Sequence, residues 1–371
     1  MFSTLVVGYL FLGGAGAGAL VVLCLLECVN ARRRFGFVVD RTRLGLTFAG
    51  RAMTPLRPMA AAGPRSANRA RFAGHPRAAD PLRVVNHANA GGRSRAAVNH
   101  PLVAAFALPV EFFARAWTVC VVVLALGVLC LAADLGRPER VAALILHPQL
   151  TAMTVGAYAL AASLAVAVAF AAGSNFDGFI PAPSLVYALS AAGVAAGVVV
   201  MAYTGVLLAS LDSVLFWKTW LLPVVFVLSS LSCGVALAFV AAAFTQTRQN
   251  LVRALANLAS VDSVLIALEA AALAALLVWG LSGEGTRASA HAIASGDLAP
   301  TFWGVVAALG MAVPLVMERF VRHANYGSQL LFVAAFVLAG GLALRWCVVG
   351  AGAYDVAQAL GQANMLAAGL M

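Results

Sequence analysis

Two carboxylates, Asp262 and Glu269, lie seven residues apart in the apolar stretch VDSVLIALEAAALAALL. An ionisable side chain is expensive to keep inside such a stretch, which makes each a functional candidate. Seven residues make two helical turns, so both carboxylates fall on about the same side of a helix, roughly 10 Å apart. Two chemistries are open to them: passing protons along, or staying protonated as packing groups. Glu27 and Glu318 sit near the ends of other apolar runs, where snorkelling, or pairing with Arg32 or Arg322, accounts for their charge. Glu269 has no such escape.

A second set of residues has the chemistry for holding a ring. A quinone headgroup needs a flat apolar slot and one or two hydrogen-bond partners, which Tyr9, Tyr203 and His147 can provide; His147 is equally an ordinary interface residue. The glycines of YLFLGGAGAGAL superficially form a phosphate-binding turn, but they lie within one continuous apolar run, not between a strand and a helix. Gly14 and Gly18 make a small face instead, on which a neighbouring helix or a flat ligand can approach the backbone closely. The stretch DLGRPER gathers Asp134, Arg137, Glu139 and Arg140 between two apolar runs. Pro138 favours a turn and pushes Arg137 out of helical geometry, so the preceding helix stops there. The two acids can then pair with the two arginines and fix the loop's shape; the alternative is a helix end with its charges in water.

These residues must be positioned by a chain that is 63% hydrophobic, only 10% charged and of mean hydropathy +0.94. Water-soluble domains are roughly half apolar. Here the apolar residues recur in blocks of about 20, the length that crosses a bilayer as a helix. The reading is all-α: a polytopic membrane bundle of about eight spans. They run approximately over Phe2–Cys28, Phe112–Ala133, Leu150–Ala172, Ser184–Ala209, Trp220–Phe244, Ala259–Leu281, Thr301–Met317 and Gln329–Gly350. Residues 1–30 hold the first span, 31–108 an Arg-rich and flexible loop, 109–350 the other seven spans, and 351–371 a tail suited to the interface.

The net charge of +10 is a topology signal. Of the 24 basic residues, 14 are arginines between Arg32 and Arg95, and basic loops stay on the inner side. With that loop go Arg115, Arg248, Arg253, Arg319 and Arg322; the opposite face receives Arg137, Arg140, Lys218, Arg287 and Arg345. Both termini are therefore expected outside. The charge that follows the first apolar run marks it as a retained span, not a cleaved leader. No aromatic-interleaved basic patch accompanies the arginines, which argues against nucleic-acid binding. The six cysteines form no CxxC or CxxCH, and no pair of histidines falls inside the spans. No metal site, iron–sulfur cluster or haem is expected in this protein.

Five stretches in order, YLFLGGAGAGA, DLGRPER, HPQLTAMTVGAYAL, AYTGVLLAS and PVVFVLSSLSCGVAL, resemble the NrfD / polysulfide reductase membrane-subunit family, which is related to the dimethyl sulfoxide reductase anchor subunit. The likeness covers essentially all eight spans, with DLGRPER its most specific element. Two features depart from it: the long Ala31–His100 loop, and Val155 at a position where tryptophan is common. The resemblance implies a bundle of the bacterial cytoplasmic (inner) membrane that serves anaerobic respiration and exchanges quinol or quinone, menaquinone by preference. It implies a ferredoxin-like iron–sulfur partner subunit and a molybdopterin catalytic subunit, the present protein being the non-catalytic component. In those terms Tyr9, Gly14, Gly18, His147 and Tyr203 border the quinol, and Asp134, Arg137, Glu139 and Arg140 brace the pocket and the docking surface. Asp262 and Glu269 would move protons. Two other classes stand beside this reading. A transporter or channel predicts broken helices with matching Gly/Pro interruptions in two halves; Pro223 and Pro314 interrupt the fifth and seventh runs, without a matching repeat. A purely structural anchor predicts no effect of quinone-site inhibitors.

Overall fold

The computed structural model describes residues 4–51, 105–106, 108–135, 152–175, 183–245, 249–320 and 326–369. Among them there is no strand. The helices are α1 (Thr4–Arg51), α2 (Val110–Leu135), α3 (Ala152–Asn175), α4 (Pro183–Ala209), α5 (Leu221–Ala243), α6 (Gln249–Ser282), α7 (Arg287–Ala294), a π-helix over Thr301–Ala312 continued by α8 (Val313–Phe320), and α9 (Tyr326–Gly369). Eight segments are long and apolar enough to cross a membrane, from Thr4–Ala31 to Ser328–Tyr354. This is a multi-pass membrane protein.

The protein divides into two units, residues 32–100 and the remainder. Of the first unit, helical backbone is described as far as Arg51, so the expected loop begins as helix. No proline interrupts the sequence before Pro55, and the Arg, Leu and Val residues between are tolerated in a helix. The tail expected at the interface is likewise helical, α9 running through it to Gly369.

Within the larger unit, α1 and α5 form the axis. The membrane segment of α1 is 83% buried and that of α5 72%, against 28% for α2 and α6. Lipid tails are as apolar as leucine, so helices associate in a membrane through close packing and hydrogen bonds. The sequence supplies that closeness with Gly18 and Gly234. A Cβ on Gly18 would lie 1.8 Å from the Ser230 carbonyl oxygen, and one on Gly234 would lie 2.3 Å from the Gly18 carbonyl carbon. The two backbones are in direct contact. Elsewhere Trp117 of α2 stacks on Phe170 of α3 at 4.6 Å between ring centroids.

The two prolines weighed above break no helix in mid-membrane. Pro223 stands in the first turn of α5, where its missing N–H has no partner to lose. Pro314 follows the π-helix, whose backbone meets α9 where Gly310 and Gly340 face each other, a Cβ on Gly340 reaching 2.4 Å from Gly310 Cα. π-helical turns widen a helix locally and gather at functional sites.

Candidate functional site

One polar file runs through the C-terminal half of the bundle. It begins at Arg345 of α9, fully buried at 0% exposure. Its Nε donates to Leu10 O at 3.1 Å, Nη1 to Gly341 O at 2.8 Å and Ser229 Oγ at 3.3 Å, and Nη2 to Ser230 Oγ at 2.8 Å. Phe11 and Phe226 rings flank the guanidinium, 5.7 and 5.4 Å from their centroids. A buried charge is tolerable only when its donors are used in this way. Ser229 also faces Glu269, and both line a cavity with Ser232, Cys233, Gly310, Met311 and Gly341. That cavity has room for about one water molecule.

Ser232, which also lines the cavity, neighbours Asp262, which in turn lies against Glu318. Among the described residues, both oxygens of Asp262, the Ser232 hydroxyl and Oε1 of Glu318 are buried without a partner in hydrogen-bonding geometry. The other carboxylate oxygen of Glu318 accepts from Ser263 Oγ at 2.5 Å. The expectation of paired acids on one face of α6 thus becomes a four-helix arrangement: α5, α6, α8 and α9 each add a polar group.

At the N-terminal end of α1 a different cluster forms. The Tyr9 hydroxyl is buried beside the Tyr203 side chain and has no partner in hydrogen-bonding geometry among the described residues. Tyr203 of α4 packs over Gly156 of α3, where a Cβ would meet its ring at 2.2 Å. The sequence places both tyrosines near one face, and the fold brings them together. Gly14 and Gly18 do something else. Protein fills their face: Ser230 and Arg345 crowd Gly14, a Cβ there lying 2.7 and 2.9 Å from Ser230 Oγ and Arg345 Nη2, and the α5 backbone crowds Gly18. These glycines serve helix packing, since no ring fits between backbones already in contact.

Glu27 and Glu318 depart from the expected snorkelling. Both are buried, and Glu27 accepts from Trp117 Nε1 at 3.3 Å. Arg32 and Arg322, the expected partners, lie outside the described side chains. Asp134 is exposed at the end of α2; Arg137, Glu139, Arg140 and His147 lie outside the described residues. In the α4–α5 connection Lys218 binds Asp212 at 2.7 Å and holds that exposed carboxyl below its usual titration range. Trp217 of the same stretch is buried and donates to Val348 O at 3.0 Å.

Arg345 is the residue that sequence reasoning misplaces. Its position near the end of a run assigns it to an aqueous face, yet it lies inside the expected Gln329–Gly350 span. The rule applied to Glu269 flags it equally. Nothing in the sequence announces the π-helix beyond Gly310 and Pro314. Among the described residues no group of three or more His, Cys, Asp or Glu residues is placed to hold a metal.

Comparison with known proteins bears on this bundle directly. The protein is 28% identical over 244 residues to the C subunit of polysulfide reductase from Wolinella succinogenes, a match covering 61% of the present sequence and 77% of the relative. It is 32% identical over 158 residues to protein NrfD of Escherichia coli, covering 42% of the present sequence and 50% of that relative. A family model described as polysulphide reductase, NrfD, matches residues 97–357, which take in seven of the eight spans and the whole polar file from Ser229 to Arg345. By that match the protein belongs to the NrfD polysulphide reductase family.

Proposed function

We propose that the protein is the membrane subunit of a respiratory oxidoreductase complex that oxidises quinol or reduces quinone at the Tyr9–Tyr203 end and exchanges electrons with an iron–sulfur partner subunit. Family membership supports the coarse part, a membrane anchor in a redox complex. The observation that carries the finer part is the Tyr9 hydroxyl, buried beside a second phenol with no partner in hydrogen-bonding geometry among the described residues. Such a group costs free energy unless something polar reaches it, and a quinone oxygen has the matching chemistry. In the orientation that keeps the arginine-rich loop inside, this end faces outward, together with DLGRPER and His147.

Oxidising a quinol releases two electrons and two protons, so acceptors for protons are needed nearby. Tyr9 and Tyr203 orient the headgroup, and His147 is the proposed proton acceptor. The loop of Asp134, Arg137, Glu139 and Arg140 braces the slot and the docking surface of the iron–sulfur subunit, behind which a molybdopterin catalytic subunit would stand. Asp262, Glu269 and the adjoining Glu318 lead protons between the inner face and the interior of the bundle, through the one-water cavity. Menaquinone in the cytoplasmic membrane of an anaerobically respiring bacterium is the substrate this reading favours. No specific observation favours a transporter, because Pro223 and Pro314 do not open matched half-helices.

Affinity purification from detergent-solubilised membranes, with the partners identified and oxidation of a quinol analogue measured, tests the proposal. Co-purifying iron–sulfur and molybdopterin subunits and inhibitor-sensitive oxidation are expected. A protein that purifies without redox partners and shows no quinol turnover would be of a different kind.

A further inference from the structure

We propose that Arg345 is an electrostatic seal: a fixed positive charge that stops protons from passing passively between the tyrosine end of the bundle and the carboxylate file. It rests on the proton-movement reading above and adds what keeps that route from short-circuiting a membrane gradient.

The position of the side chain makes the case. One edge of the guanidinium holds Leu10 O, the residue after Tyr9; the other holds Ser229 Oγ, which faces Glu269 and the one-water cavity. The cation therefore ties the α1 backbone next to Tyr9 to the Ser229 side of the cavity, with Phe11 and Phe226 over its faces. Its four bonds go to neutral oxygens. Glu269 is near enough to feel the charge but not within the 4.0 Å of an ion pair. Among the described residues the guanidinium thus has no carboxylate in direct contact.

Two properties of arginine make this a barrier. A guanidinium donates hydrogen bonds and accepts none, and it does not lose its proton, so a relay that needs each member to take a proton and pass one on is interrupted there. A hydrated proton approaching from the cavity also meets a like charge in a medium that screens it poorly. Membrane pores use fixed arginines in this way to exclude protons. A lysine would keep the charge; a neutral side chain of similar length would not.

The test uses the full-length protein purified and reconstituted into liposomes with a trapped pH-sensitive dye, under an imposed pH gradient and a clamped membrane potential. No quinol or partner subunit is needed, so failure here leaves the quinol reading intact, and a protein inactive with quinol can still hold a gradient. Wild type and Arg345→Lys are expected to hold the gradient, while Arg345→Gln leaks on the order of tenfold faster. Adding Glu269→Gln to Arg345→Gln should return the leak toward wild type, because the leak runs through the file. If Arg345→Gln yields no monodisperse protein, Ser230→Asp takes its place: it keeps the arginine and sets a carboxylate where Nη2 now meets a hydroxyl at 2.8 Å, and it too should leak. A folded Arg345→Gln or Ser230→Asp protein as tight as wild type overturns the proposal. So does an Arg345→Lys protein that leaks as fast as the neutral variant.

Discussion

Replacing Gly18 with alanine separates two uses of a glycine face, packing and ligand binding. The added Cβ would sit 1.8 Å from the Ser230 carbonyl oxygen, whereas contacts under 3.0 Å are essentially never seen. The helices must part by at least 1.2 Å, the difference between those two distances. The obstacle is backbone, so no rotamer change absorbs it. Overfilling a packed interior costs about 1–3 kcal/mol and occasionally more. Here the strain falls between the two most buried helices, and a gap of half to one ångström along that seam forfeits about a quarter to a half of each dispersion contact. A cost of about 3 kcal/mol follows. Arg345 should also loosen, since Ser230 and Leu10, two of its acceptors, stand on the helices being pushed apart. The assay is the monodisperse fraction left after heating in detergent, with Gly304→Ala as control, since a Cβ there meets nothing within 4 Å. Gly18→Ala should lose stability by several degrees while Gly304→Ala does not. A Gly18→Ala protein as stable as wild type, but with a raised KM for a quinol analogue, would refute the packing argument and restore the slot.

Other outcomes follow from the same geometry. Tyr9→Phe and Tyr203→Phe each remove one hydroxyl without altering ring packing, and each should raise the KM for a quinol analogue by about two- to tenfold, the worth of one hydrogen bond; unchanged kinetics in both would clear the tyrosines of any role. Glu269→Gln proteoliposomes should translocate fewer protons per electron than wild type while oxidation continues, and an unchanged ratio removes Glu269 from the route. Arg137→Ala should lower quinol-dependent electron transfer without preventing membrane insertion or assembly, as read by activity per assembled complex. The Asp212–Lys218 pair is exposed, and the lysine depresses the carboxyl's titration. Its small stabilisation is present above the unfolded carboxylate range and is lost as pH falls through the depressed folded value. Melting curves of Lys218→Met against wild type should therefore converge in acid and in high salt; divergence toward acid contradicts the sign.

Asp262, Glu269 and Tyr203 were legible as candidates because each is a polar group at a place where the solvent makes polarity expensive. Their partners were not legible. Ser229, Ser230 and Ser232 read as ordinary small residues of an apolar span, and only the approach of α9 and α6 turns them into ligands of Arg345 and neighbours of the acids. Gly14 and Gly18 fit both helix packing and a ligand wall on spacing alone; contact with the α5 backbone decided between them.

The sequence by itself determined the class of the molecule, the number of its spans and the three spans carrying Glu27, Asp262 with Glu269, and Glu318. Hydropathy and charge act locally along a polypeptide, and the bilayer rewards each apolar block independently of the others. Which helices meet, and therefore whether Arg345 faces water or four oxygens in the interior, was decided only by tertiary structure. Helix contacts inside a membrane depend on shape complementarity between distant segments, down to single glycines, and no local property of one segment encodes the surface of another.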